Sequence, residues 1–247
     1  MSPDDLPGNV VVIATDELAE LAAHQVTQLA ADGAADGDQF DIALAGGSTP
    51  RALYELLASP PQRQEIVWQR WRIWFGDERA CPADDSSSNY AMARDALLEH
   101  VPVATDAIHR MPADRHDLDA AAAEYSALLA RTCEPGPLGA PRLDCVLLGL
   151  GENGHTASLF PRTPALEVRD AWATRGLADY QPFDRITLTY PVLNAGHQVM
   201  FLVSGASKGP ALRGVVEGSV PAAGIRPTDG ALTWILDGAA AAAMGDG

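Results

Sequence analysis

The six residues at 145–150, CVLLGL, carry no polar side chain, so a strand built from them has no face suited to water. Such strands belong to sheets covered on both sides, as parallel sheets are. A strand is therefore predicted at 144–150. Similar short apolar or β-branched segments lie at 10–14, 41–45, 72–75, 186–189, 199–203 and 232–236. Helix-period stretches separate them at 16–31, 50–58, 87–101 and 118–131. In the first, Leu18, Leu21, Ala22, Gln25, Val26 and Leu29 share one stripe, with Asp16 as cap. Strands alternating with helices predict an α/β fold with a mainly parallel sheet. No repeat or linker divides the 247 residues, so 1–247 reads as one domain. The stretch EPGPLGAPR at 134–142 reads as a loop, and the Ala-rich end at 239–247 as a short helix that frays.

Charge narrows the function classes. With 33 acidic against 17 basic residues the net charge is −16, which argues against nucleic acid or an anionic membrane as partner. A small anion needs only a few amides and one or two cations, and is compatible with this balance. Cys81, Cys133 and Cys145 match neither a metal site nor a disulfide framework. The N-terminal MSPDDLPGNVVV lacks a basic leader, and no run approaches the roughly 20 apolar residues of a membrane helix. A cytoplasmic protein is expected.

Four predicted strands run directly into loops rich in small and functional residues. In open α/β sheets, ligands bind outside the carboxyl ends of strands, so these loops are expected to converge. In AGGSTP, Gly46 and Gly47 permit close approach of a ligand, Ser48 or Thr49 is placed to cap a helix, and Pro50 suits its first turn. Helix-start amides attract phosphate; a plain capped helix after a tight turn is the other reading. In GDERACPADDSSSNY, Arg79 could hold an anion and Asp77 could accept from sugar hydroxyls, or the pair could be a loop ion pair. In GENGHTASLFP, His155 follows a buried strand, where an imidazole suits proton transfer, and Thr156 to Ser158 are placed to start a helix; a structural His bonded to backbone is the alternative. In SGASKG, Lys208 stands at a helix start, unfavourable for the dipole unless it meets an anion there.

Taken with RITLTYPVLNAGHQVMFLVSGASK and the closing GALTWILD, these motifs resemble the 6-phosphogluconolactonase family of the glucosamine-6-phosphate isomerase/deaminase superfamily, in order from about residue 10 to 237. The resemblance implies a Rossmann-like three-layer α/β/α fold with a mainly parallel sheet. It implies hydrolysis of 6-phospho-D-glucono-1,5-lactone in the oxidative pentose phosphate pathway, with a small sugar phosphate as ligand and neither metal nor organic cofactor. By motif position, Gly46, Gly47, Ser48, Thr49 and Lys208 would hold the phosphate. Asp77, Arg79 and Asn89 would line the sugar site, with Arg79 near the lactone carbonyl and His155 as base. A monomer or small homo-oligomer is expected.

One position departs from the family pattern. An acidic residue usually stands two before the His, and here it is Asn153, which supplies an acceptor without charge. Asn153 is expected to fix a tautomer or a water. An amino-sugar-phosphate deaminase or isomerase is the alternative within the superfamily, but its chemistry calls for an additional carboxylate base. A sugar-phosphate-binding regulator without catalysis is the alternative outside enzymes.

Overall fold

The computed structural model describes residues 1–36, 39–178 and 183–245. In chain order the elements are β1 (Asn9–Ile13), α1 (Leu18–Asp36), β2 (Phe40–Leu44), α2 (Ser48–Leu57), α3 (Gln62–Glu65), β3 (Trp71–Phe75) and β4 (Asp77–Arg79). There follow α4 (Asn89–Ala93), α5 (Leu118–Thr132), β5 (Cys145–Leu148), β6 (Ala173–Gly176), β7 (Arg185–Leu188) and α6 (Tyr190–Ala195). The chain continues through β8 (Gln198–Val203), α7 (Gly209–Glu217), β9 (Ala231–Asp237) and α8 (Gly238–Ala242).

Six strands form a parallel sheet in the order β1-β9-β8-β5-β2-β3. Every residue of β2 and β5 is buried, as is all of β8 after Gln198, so the apolar runs do fill a sheet covered on both faces. Trp234 stacks on Phe201 at 3.9 Å between the centroids, joining β9 to β8 in the core. The strand order reverses beside β2: the chain steps out to β3 on one side and resumes with β5 on the other. That reversal opens a crevice at the carboxyl ends of β2 and β5, where ligands bind in such sheets.

Several expectations need correction. The segment GDER is not a loop. Gly76 N–H still bonds Leu44 O of the main sheet (2.9 Å), but Gly76 O accepts from Leu188 N (2.8 Å), and Asp77–Arg79 become strand β4. It pairs antiparallel with β7, which pairs antiparallel with β6 in a second, three-stranded sheet. The strand expected at 186–189 is therefore β7, one residue earlier and outside the parallel sheet. Its four residues are all buried, and an apolar run does not reveal strand direction. The strand expected at 144–150 stops at Leu148, leaving Gly149 and Leu150 to line the crevice. The helix expected at 87–101 is α4, capped by Ser88 Oγ accepting from Ala91 N (3.1 Å). It passes into a wider turn in which Glu99 N reaches back to Arg94 O (3.1 Å). The Ala-rich end forms its short helix, α8, from Gly238 to Ala242. Asp237 caps α8 by accepting from Ala240 N (2.8 Å), and Ala240 and Met244 are buried in the core. Residues 246–247 lie outside the described residues.

Candidate active site

The crevice between β2 and β5 holds a cavity of about 240 Å3. Three loops and β4 build it: the ends of β2 and β5, the turn after β8, and the strand that carries Asp77 and Arg79. Gly46, Gly47, Asp77, Arg79, His155 and Lys208 all line it, so six of the ten expected site residues meet in one place.

The phosphate loop is built from glycine. Gly47, at φ +108°, is the N-cap of α2, so Ser48 and Thr49 are its first two helical residues. The expected hydroxyl cap is absent because Gly47 already makes the turn, in a conformation that excludes other side chains. Gly46 and Gly47, which precede the first amides of α2, line the cavity, and the first amides of a helix have no intrahelical acceptors and attract anions. Ser48 and Thr49 line a neighbouring recess with Thr15 and Ser204, not this cavity.

His155 sits in a closed turn. Gly151 N donates to His155 O (2.8 Å) and Gly154 N to Gly151 O (2.9 Å). A β-carbon on Gly151 would fall on the His155 ring, so glycine there is a packing requirement. The helix expected from Thr156 does not form: Thr156 and Leu159 bridge across a tight turn, with Ala157 at φ +46° against the cavity. Asn153 Oδ1 accepts from His155 N (3.2 Å) and lies 2.5 Å from His155 Nδ1. A backbone amide only donates, so Asn153 presents its carbonyl oxygen to both and Nδ1 carries the ring proton. Nε2 is then the basic nitrogen. The ring stacks on Phe160 at 4.3 Å. Burial pushes the His155 pKa down to about 4; Asp77 opposes this, while Arg185, Lys208 and Arg79 reinforce it. The imidazole is neutral at pH 7.

Asp77 is a junction rather than an open acceptor. It is buried; Oδ1 accepts from Asn89 Nδ2 (3.0 Å) and Oδ2 from Ser158 Oγ. Arg185 NH1 stands 3.6 Å from the same Oδ2. Asn89, expected to line the sugar site, is instead buried behind Asp77, and its amide would collide with any β-carbon at Gly46. Glu78 organises the same corner, accepting from Arg79 N (2.7 Å), Asn89 N (2.8 Å), Tyr90 N (2.8 Å) and Ser88 Oγ (2.9 Å). Burial raises its pKa against those four hydrogen bonds. Arg79 NH1 is tied to Ser87 O (2.5 Å), and its buried Nε has no hydrogen-bond partner among the described residues. Lys208 closes a turn that begins at Gly205 (φ +98°) and ends where α7 starts. Asp237 pins that turn through Ser204 Oγ (2.7 Å) and Gly205 N (3.1 Å).

Arg185 is the residue that motif reading passed over. It is buried in β7, lines the cavity, and lies 5.7 Å from the Phe160 ring that also carries His155. Its only sequence signal was an Arg opening the β-branched run RITLTYP. Among the described lining residues, Arg79, Arg185 and Lys208 face a single carboxylate, Asp77. No group of three or more His, Cys, Asp or Glu side chains is placed to hold a metal ion, and no helix is long and apolar enough to cross a membrane, among the described residues.

Comparison with known proteins identifies the family. The profile of the family described as glucosamine-6-phosphate isomerases/6-phosphogluconolactonase matches residues 14–234. A 6-phosphogluconolactonase of Synechocystis sp. is 41% identical over 232 residues, covering 92% of this chain and 94% of its own. One from Nostoc sp. is 43% identical over 211 residues, covering 83% and 85%. The structure of 6-phosphogluconolactonase from Trypanosoma brucei superposes with a TM-score of 0.85 at 28% identity, over 96% of this chain and 98% of its own. On its sequence, fold and site together, the chain belongs to the glucosamine-6-phosphate isomerase/6-phosphogluconolactonase family.

Proposed function

We propose that this chain hydrolyses 6-phospho-D-glucono-1,5-lactone to 6-phospho-D-gluconate, the second step of the oxidative pentose phosphate pathway. The observation that carries the reading is one cavity in which three cations and a helix start surround a neutral, oriented imidazole on a strongly acidic chain. A phosphate dianion is the ligand that such a local excess of positive charge selects. Lys208 and the Gly46–Gly47 turn with the first amides of α2 grip the phosphate. His155 Nε2 takes a proton from water as the water oxygen attacks the lactone carbonyl. Arg79 stabilises the oxyanion of the tetrahedral intermediate. On collapse, the acyl–ring-oxygen bond breaks and His155 returns the proton to the departing ring oxygen. A lactone is an activated ester, so no covalent nucleophile is required, and phosphate binding holds the carbonyl in place.

The deaminase or isomerase reading finds less support. It needs a carboxylate able to move a proton between carbons, whereas Asp77, the one carboxylate among the described lining residues, has both oxygens engaged. The test is a coupled assay on freshly made 6-phosphogluconolactone with a no-enzyme control, run beside ammonia release from glucosamine 6-phosphate. Enzyme-dependent lactone hydrolysis without ammonia is expected; ammonia release without lactone hydrolysis reverses the assignment.

A further inference from the structure

The charged groups that line the cavity act on His155. His155 is faced by Asp77 and Arg79 from β4, by Arg185 from β7 and by Lys208 from the turn before α7. Its Nδ1 side meets the neutral Asn153 amide, and one face of the ring meets Phe160. Glu152, the neighbouring acid, is exposed on the outside of the turn and does not line the cavity. Without ligand the described lining groups sum to about two positive charges, and proton uptake by His155 adds a further one in a poorly solvated place. General-base catalysis requires that uptake. We propose that the substrate's own phosphate dianion supplies the counter-charge that lets His155 accept the proton, so that phosphate binding activates the base as well as positioning the lactone. The inference rests on the phosphate-gripping reading above.

With the dianion in place the charge of the described lining groups falls by about two, and the imidazolium forms beside a counter-charge. The position of Asn153 makes this coupling stronger than a carboxylate there would, because position 153 adds no charge to that of Asp77 in stabilising the protonated ring. The low pKa of His155 in the ligand-free chain is in keeping with this, since three of its causes are the cations that a phosphate would neutralise.

The experiment is an NMR titration of the His155 ring with and without saturating sorbitol 6-phosphate. This probe carries the phosphate and the carbon chain but no carboxylate to act on the ring directly. Saturation is followed at the Gly47 and Lys208 amides, and the ionisation of the bound phosphate is read by phosphorus NMR in the same samples. An upward move of the His155 midpoint by about 1–3 pH units is expected. A midpoint unchanged while the amides report full occupancy overturns the inference and leaves the lactonase reading intact. Failure of the probe to perturb those amides removes the phosphate-binding reading on which the inference stands.

Discussion

The two ends of the same parallel sheet both carry polar cavities, and they differ in a way that volume does not reveal. The cavity at the amino ends, lined by Gln39, Asp41, Arg72, Asp144, Arg142 and His197 among others, is the larger at about 330 Å3 against about 240 Å3. Its charges, however, answer one another. Arg72 clamps Asp41 through Nε (2.8 Å) and NH2 (2.5 Å), Trp74 Nε1 donates to the same carboxylate (2.7 Å), and Asp144 Oδ2 accepts from Asp41 N (2.7 Å). Arg142 forms a two-pronged pair with Asp229. At the carboxyl end, cations outnumber the carboxylate and a neutral histidine stands among them. At the amino end each arginine is held by a carboxylate; at the carboxyl end three cations face one carboxylate among the described lining residues.

Substitutions at the two ends should therefore fail in different ways. The largest effect is expected from His155→Ala, which removes the base. Lactone turnover should drop about 10²–10⁴-fold with the urea midpoint nearly unchanged. A variant that turns over the lactone as fast as the parent would discredit His155 as the base. At the other end, Arg72→Ala leaves the buried Asp41 carboxylate without its ion-pair partner. A loss of about 3 kcal/mol in urea unfolding is expected, with kcat/KM per folded molecule preserved. If Arg72→Ala instead impaired turnover while leaving stability alone, the division between the two ends would be wrong.

Lys208→Ala sharpens the comparison from the ligand side. Loss of one charged contact to phosphate should lower kcat/KM about 10–100-fold, chiefly through KM. Little change in stability is expected, because Lys208 is half-buried and anchors no strand. An equal loss for an unphosphorylated lactone would show that Lys208 acts somewhere other than on the phosphate.

These expectations also mark what the sequence made legible. Alternation of buried runs with helix-period stretches identified the parallel sheet, because burial on both faces leaves a local compositional trace. Glycine, His155, Arg79 and Lys208 at strand ends were legible for the same reason. What escaped was non-local. The direction of β7 depends on its partners β4 and β6, and its own residues carry no record of it. Ser48 and Thr49 read as ligands because hydroxyls follow glycines, and in the fold they line the neighbouring recess. The positions of Asn89 and Arg185 are non-local for a related reason: both contact Asp77, the first buried behind it and the second lining the cavity.

The smallest effect, and the one that probes the unusual position, is expected from Asn153→Asp. The ring of His155 titrates near 4 in the folded chain against 6.5 for an ordinary histidine. Folding thus favours the neutral ring. That contribution to stability is whole above about pH 6.5 and is lost as the pH falls toward 4. A carboxylate at 153 would accept the same Nδ1 proton while adding a negative charge, so the midpoint should rise by about one unit. The acid-side loss of stability assignable to this ring should shrink accordingly. At pH 7 the ring stays mostly neutral in both proteins, so turnover there should change by no more than a few-fold, with the difference growing below pH 6. An NMR titration of the ring beside a pH–rate profile checks both parts. If the midpoint and the profile both stay where they are, the Asn153 contact at 2.5 Å sets the orientation of the ring without influencing its charge.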